Sequence, residues 1–136
     1  MQTALARGHQ IGFTVPRREV VIELAMRIKK TFPQARVISV FGDHHDALTG
    51  NIIVLTTHQL FRYEDYFDLL IFDEIDIGIS GKVSQRVGEK LALLSRKHQV
   101  ICVTHNPHIA SMADNHIMVE KFSGGNVTKI KVNRLT

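Results

Sequence analysis

Three acidic residues within four positions follow an apolar run in the middle of the chain. Residues 69–72 read Leu-Leu-Ile-Phe, and Asp73, Glu74 and Asp76 come next. A short, wholly apolar run is typical of a buried parallel strand, and such strands deliver the residues after them to the carboxyl edge of the sheet, where α/β proteins place their chemistry. Carboxylates at that edge can bind a metal ion or move a proton. The alternative is that these acids only return the chain to solvent.

The acidic strand also has the pattern of a Walker B segment. By this resemblance to P-loop ATPases, Asp73 is the Mg²⁺ ligand and Glu74 the general base. Such ATPases need a Gly-x-x-x-x-Gly-Lys-Ser/Thr loop, and none occurs in the 136 residues. Because carboxylates usually share Mg²⁺ with nucleotide oxygens, a metal held by Asp73 and Glu74 alone would be weak. We therefore expect both roles to be vestigial, with no cofactor; Mg²⁺ and ATP are implied by resemblance alone.

Composition indicates one domain spanning residues 1–136. A chain that is 44% hydrophobic at this length can bury one sizeable core. The net charge of +4 permits contact with a polyanion without requiring it. Cys102 is the single cysteine, which excludes a disulfide framework. No apolar run approaches the roughly 20 residues of a membrane span, so we expect a cytoplasmic protein without membrane contact.

The elements that must position these acids alternate as strands and helices. This alternation predicts a doubly wound α/β fold with a mainly parallel sheet. Helical spacing predicts helices over residues 17–32 and 80–97, with Ser80 as an N-cap, a short one at most within 57–66, and one from Pro107 to residue 113. The predicted strands are residues 10–15, 36–41, 51–56, 68–73, 99–104, 116–121 and 127–133. The last two flank Gly124 and Gly125, which predicts an antiparallel hairpin.

Residues 10 to about 75 resemble the first motor domain of late-competence DNA-uptake helicases of the ComFA type, which are superfamily 2 relatives of PriA. The matching segments are residues 13–21, residues 56–60 and the acidic strand. The resemblance implies weak contact with single-stranded DNA. The residues that it assigns to this contact are Arg17, Arg18, Thr56, Thr57, Gln59 and Arg62.

Residues 71 to about 121 instead resemble the carboxyl-terminal part of the bacterial DNA repair ATPase RecN, a relative of SMC and ABC proteins. The matching segments are residues 71–81, residues 103–107 and residues 110–114. This resemblance implies a D-loop at Gly78, Ser80 and Gly81, and a switch role for His105, vestigial here because the chain holds no nucleotide. Ser80 would meet a partner's nucleotide across a dimer. The plainer alternatives are a helix cap for Ser80 and a polar strand end for His105.

Both resemblances share residues 71–76, which predicts an engineered chimera of two P-loop ATPase fragments, folded but without catalysis. The alternatives are a natural degenerate ATPase, a residual nucleic-acid-binding module, or an ATPase fragment that takes its P-loop from another chain. Either a monomer or a homodimer is compatible with the sequence.

In both families the P-loop strand lies beside the strand that ends at the switch histidine. If the sheet closes the gap that the missing P-loop strand leaves, residues 116–121 pair with residues 99–104. Numbering the seven predicted strands along the chain, this closure gives the order 2-3-1-4-5-6-7, with strand 7 antiparallel.

One further polar cluster, His44, His45 and Asp46, could bind a transition metal. Adjacent histidines point in different directions in most backbones, so an exposed loop is the favoured interpretation.

Overall fold

The computed structural model describes residues 2–42, 44–45 and 50–135, and leaves the side chains of residues 2, 3, 44, 45, 61 and 64 outside that description. The helices are α1 Gln2–Ala6, α2 Arg18–Thr31, α3 Gly81–Leu94 and α4 Pro107–Ala110, with 3₁₀ helices at Thr57–Arg62 and Glu64–Tyr66. The strands are β1 Ile11–Val15, β2 Val37–Phe41, β3 His44–His45, β4 Ile52–Thr56, β5 Leu69–Asp73, β6 Gln99–Val103, β7 His116–Gly124 and β8 Val127–Leu135.

Six strands form the main sheet in the order β3-β2-β4-β1-β5-β6. All neighbours are parallel except β3, which pairs antiparallel with the end of β2. In the numbering of the predicted strands this is 2-3-1-4-5, so the doubly wound class and this part of the order are confirmed. The chain leaves β1 for one side of the sheet and later returns to its other side, which makes β1 the place where the strand order reverses.

The C-terminal hairpin does not close the sheet as predicted. β7 and β8 form a separate two-stranded antiparallel sheet, with pairing from His116–Leu135 to Gly124–Val127. The pairing of residues 116–121 with residues 99–104 is therefore wrong. The physical reason is that β6 and β7 lie apart: residues of both strands line a groove of about 860 Å³ between them, so their backbones do not meet.

Two apolar clusters pack on opposite faces of the sheet. On one face, α2 packs over β1, β2 and β4, with Val21 and Ile28 buried against the strands. The other face holds Leu91 of α3 and Ile109 of α4. All five residues of β4 are buried, as expected for a central parallel strand covered on both sides. The core therefore lies around β1, β4 and β5.

Local sequence explains where the two long helices begin and end. α2 ends at Thr31, two residues before Pro33, which lacks the backbone N–H that a helix needs. α3 carries Gly88 where α4 approaches closely, since a Cβ there would lie 3.0 Å from Cγ of Met112 and 3.1 Å from the His108 carbonyl oxygen. The predicted helices are confirmed within three residues at their ends; α3 and α4 each end three residues earlier than predicted, at Leu94 and Ala110. α1 and β3 were not predicted.

Candidate functional site

The three acids of the β5 end lie in three different environments. Asp73 is the last residue of β5 and is half-buried, Glu74 is exposed, and Asp76 is only 7% exposed. The simple interpretation that these acids return the chain to solvent therefore fits Glu74 and does not fit Asp76. A buried carboxylate is costly unless it is hydrogen-bonded or paired, so Asp76 needs a structural or functional reason.

Glu74 has an unusual backbone conformation. Its φ is +54°, which places a non-glycine residue in the left-handed region. This conformation costs an L-residue roughly 1–2 kcal/mol, and residues held in it are frequent at functional sites. Since Glu74 directly follows Asp73, the strain lies at the point where β5 presents its acids.

Asp76 joins the end of β5 to the end of β6. Its Oδ2 accepts a hydrogen bond of 2.8 Å from Oγ1 of Thr104, the residue after β6. Nδ1 of His105 lies 3.4 Å from the same oxygen, while the His105 side chain is 90% exposed. The acidic loop and the predicted switch histidine are therefore adjacent at the carboxyl edge.

The predicted D-loop connects Asp76 to α3. Gly78 has a φ of +73°, which glycine adopts without strain. Ser80 occupies the N-cap position of α3 as expected, but its side chain makes no capping hydrogen bond; its carbonyl oxygen instead accepts from the backbone N–H and the hydroxyl of Ser84. Gly81 is the first helical residue. Ser80 therefore presents an exposed hydroxyl.

Cys102 lies in β6, close to the carboxylates of Asp73 and Asp76. Burial raises the pKa of its thiol to about 11, with smaller contributions from the nearby carboxylates of Asp76 and Asp73. The thiol is therefore protonated and unreactive at neutral pH. Its position on β6 means that the β5 and β6 ends share one acidic environment.

The residues assigned to DNA contact gather at the same edge but differ in burial. Arg17 and Arg18 are exposed at the start of α2, and Arg62 is exposed in the 3₁₀ segment. Thr56 and Gln59 are 2% and 6% exposed, and Nε2 of Gln59 donates to the Gly42 carbonyl oxygen at 3.2 Å. Thr57 is half-buried. Contact with DNA by these six residues stays a prediction.

Metal binding at this edge would need ligands from elsewhere. Within the described ranges, no group of three or more His, Cys, Asp or Glu side chains could hold a metal ion. The Asp73 carboxylate suits a Mg²⁺ ion that also binds phosphate oxygens, since Mg²⁺ keeps few protein ligands in such sites. The predicted cluster of His44, His45 and Asp46 lies outside the described side chains.

Sequence reasoning missed the polar contacts behind His105. Asn106 donates from its backbone N–H to Oγ1 of Thr104 at 3.0 Å and from Nδ2 to Oγ of Ser84 at 2.9 Å. Ser84 is 0% exposed. A serine in the buried stripe of an amphipathic helix was the signal available in the sequence, because a buried hydroxyl needs a hydrogen-bond partner.

None of the described helices combines the length and the apolar character that a membrane crossing requires.

Comparison with known proteins relates part of the chain to the DNA repair protein RecN. The chain is 58% identical to RecN of Synechocystis over 52 residues, which are 38% of this chain and 9% of that protein. It is 52% identical to RecN of Rickettsia conorii over 66 residues, 48% of this chain and 12% of the relative. With RecN of Haemophilus influenzae it shares 39% over 104 residues, 76% of this chain and 17% of the relative. No protein-family model matches the chain.

These matches support the RecN resemblance and give no support to a helicase half or to a chimera. Residues 71–136 number 66, so a match of 104 residues must extend into the part assigned to the helicase. A seam within residues 71–76 does not explain such a match. The chain spans less than a fifth of the length of these relatives.

Proposed function

We propose that the chain carries half of the ATP site of a RecN-like, SMC-related ATPase, and that a P-loop outside these 136 residues completes it. Asp73 binds Mg²⁺ together with nucleotide oxygens, Glu74 activates the attacking water, and His105 contacts the γ-phosphate. Mg²⁺ in such a site neutralises charge on the phosphates. Ser80 of the exposed loop reaches the nucleotide of a second subunit.

The observation that supports this proposal is the open groove between β6 and β7. Among the residues that the structure describes, β6 pairs only with β5, and β7 pairs only with β8. Each strand therefore presents an edge of unpaired backbone groups to the groove. The groove has a volume of about 860 Å³ and is lined by side chains of both strands, among them Ile101 of β6 and Ile117 of β7.

The direction of β6 determines where such a strand would lead. Parallel strands end at the same edge of a sheet, and a strand parallel to β6 would end beside Thr104 and His105. The loop that follows it would then face Asp73 and Glu74. A phosphate-binding loop is useful only at that place, because its amides and lysine must meet the same nucleotide as the acids.

Mixing the chain with a segment of a RecN-like protein chosen because it contains a Gly-x-x-x-x-Gly-Lys-Ser/Thr loop tests the proposal. We expect no ATP hydrolysis by either part alone and Mg²⁺-dependent hydrolysis by the mixture. Glu74→Gln should lower the rate of the mixture about hundredfold or more, the usual range for a general base. Glu23→Gln, on the exposed face of α2, is the matched control and should keep the rate. Failure to associate, association without hydrolysis, or hydrolysis that survives Glu74→Gln would each contradict the proposal.

A second candidate function is weak contact with single-stranded DNA. The exposed Arg17 and Arg18 at the end of β1 favour it, since arginines contact phosphates without sequence preference. Fluorescence anisotropy with labelled DNA should show binding at low salt that weakens at moderate salt. The double variant Arg17→Ala and Arg18→Ala should lose it, whereas Arg86→Ala and Arg96→Ala on the α3 side should not. No binding at low salt rejects this candidate.

A further inference from the structure

A continuous series of hydrogen bonds connects the loop after β5 to the loop after β6 and then to α3. Oγ1 of Thr104 donates to Oδ2 of Asp76 and accepts from the backbone N–H of Asn106. Nδ2 of Asn106 donates to Oγ of Ser84, which donates in turn to the Ser80 carbonyl oxygen at 2.9 Å. Both hydroxyls thus donate once and accept once, so the direction of every bond in the series is fixed.

Ordinary helix capping explains only part of this arrangement. Oδ1 of Asn106 accepts from the His108 backbone N–H at 3.0 Å and so caps α4. Asp76 caps no helix, yet its side chain is 2% exposed and its Oδ1 has no hydrogen-bond partner among the described residues. A neutral side chain could accept from Thr104 at a lower desolvation cost. The burial of this carboxylate therefore needs another reason, and the ring of His105 lies 3.4 Å from it.

We propose that Asp76 is a positioning residue that orients His105 and fastens the His105 loop to the loop of residues 75–80. This inference rests on the proposed function, in which His105 contacts phosphate and Ser80 meets a second subunit. The Asp76 carboxylate lies 3.4 Å from Nδ1 and so favours a proton on that nitrogen, which leaves Nε2 as the ring nitrogen that can reach a ligand. Because Asn106 is tied to Ser84 and Ser84 to Ser80, the His105 loop and the Ser80 loop move together.

Amide hydrogen exchange of the complete 136-residue chain tests the fastening without any nucleotide. Thr104→Val removes the hydroxyl and should raise the exchange rate of the Asn106 amide about tenfold, with a smaller rise at the Ser84 amide, which donates to Ser80. Thr104→Ser keeps the hydroxyl and should stay within about threefold of the wild type. The amides of Phe72 and Cys102 in the sheet should keep their rates in both variants, which shows that the fold is intact.

The orientation of His105 has its own readout in the nitrogen NMR spectrum of its ring. At a pH where the ring is neutral, we expect the proton on Nδ1 in the wild type and a shift toward the Nε2-protonated form in Asp76→Asn. Asp73→Asn, in the same strand end, should leave the ring unchanged. Unaltered Asn106 exchange in Thr104→Val, or the same tautomer with and without the Asp76 charge, would overturn the inference. Since both measurements use the chain alone, they succeed or fail independently of ATP hydrolysis in the mixture.

Discussion

The centre of the main sheet differs sharply in burial from its β6 end and from the C-terminal hairpin. In β4 all five residues are buried, whereas in β6 Ile101 and Val103 are 45% and 56% exposed. The hairpin is more exposed still, with Ile117 and Ile130 both at 67%. A two-stranded hairpin is marginal in water unless it packs on something. The contrast shows that the strands β1, β4 and β5 form a well-buried core, while β6 and the hairpin stay largely exposed, which is the region where we propose that another segment binds.

The largest expected effect is on the free energy of unfolding, from a substitution in the buried core around β1, β4 and β5. Ile53 in β4 is 0% exposed, so Ile53→Ala should lower the free energy of unfolding by about 3 kcal/mol through lost burial and a cavity. Ile130→Ala in the hairpin should change it by less than about 0.5 kcal/mol. Urea denaturation followed by circular dichroism measures both. Equal losses would show that the hairpin is as well packed as the core.

A charged side chain introduced into the groove between β6 and β7 should weaken binding of the P-loop segment and leave the stability of the chain alone nearly unchanged. Ile101 shares a sheet face with its buried neighbour Ile71 and remains half exposed. Ile101→Glu should weaken association with the P-loop segment about tenfold or more and cost the chain alone less than about 1 kcal/mol, since charge is disfavoured in a dry strand interface. Titration calorimetry gives the association constant.

Gln99→Glu is the matched control, because residue 99 lies on the same face of β6 and is already polar. It should change association less than about threefold, since no apolar contact is lost. If both variants weaken association equally, the cause is the change in net charge and not the loss of an apolar contact in the groove.

A smaller effect concerns the strained residue at the site. Glu74→Gly should raise the free energy of unfolding by about 1 kcal/mol, because glycine adopts a φ of +54° without a steric cost. Glu74→Ala removes the same carboxylate and keeps the Cβ, so it should give no such gain. If the alanine variant is stabilised equally, repulsion between the acids and not backbone strain is the cause. Thermal denaturation of the two variants separates these explanations.

The smallest expected effect is a pH dependence from Cys102. Its pKa rises from 9.0 to about 11 on folding, so the unfolded thiol loses its proton first. Stability from this group is complete below pH 9 and declines between pH 9 and about 11. Urea midpoints of the wild type should therefore fall more steeply over that range than those of Cys102→Ser. Parallel curves would show that the thiol is not protected in the folded chain.

Much of the fold was predictable because its signals are local. Apolar runs of five or six residues separated by helical spacing gave the strands of the main sheet and both long helices. The order 2-3-1-4-5 came from resemblance, and pairing in the structure confirms it. The missed elements, α1 and β3, are five and two residues long, and elements this short leave little periodicity in a sequence.

The candidate site was predictable only in its residue types. Asp73, Glu74 and His105 were identified from their motif, and the structure places all three at the carboxyl ends of β5 and β6. The burial of Asp76 and its bonds to Thr104 could not be predicted, because they depend on how two loops 28 residues apart along the chain meet. The helicase interpretation of residues 10–75 rested on short segments, and the comparisons with known proteins give it no support.

The sequence by itself determined the class of fold, the main strands and the acids at the end of β5, since hydrophobic periodicity and strand direction are properties of the chain. Only the tertiary structure decided that β7 does not pair with β6, which leaves β6 at the edge of the main sheet, because that pairing depends on how the predicted hairpin is placed against the folded sheet. It also decided that Asp76 is buried and Glu74 strained. Those outcomes depend on neighbours that meet only after the chain has folded.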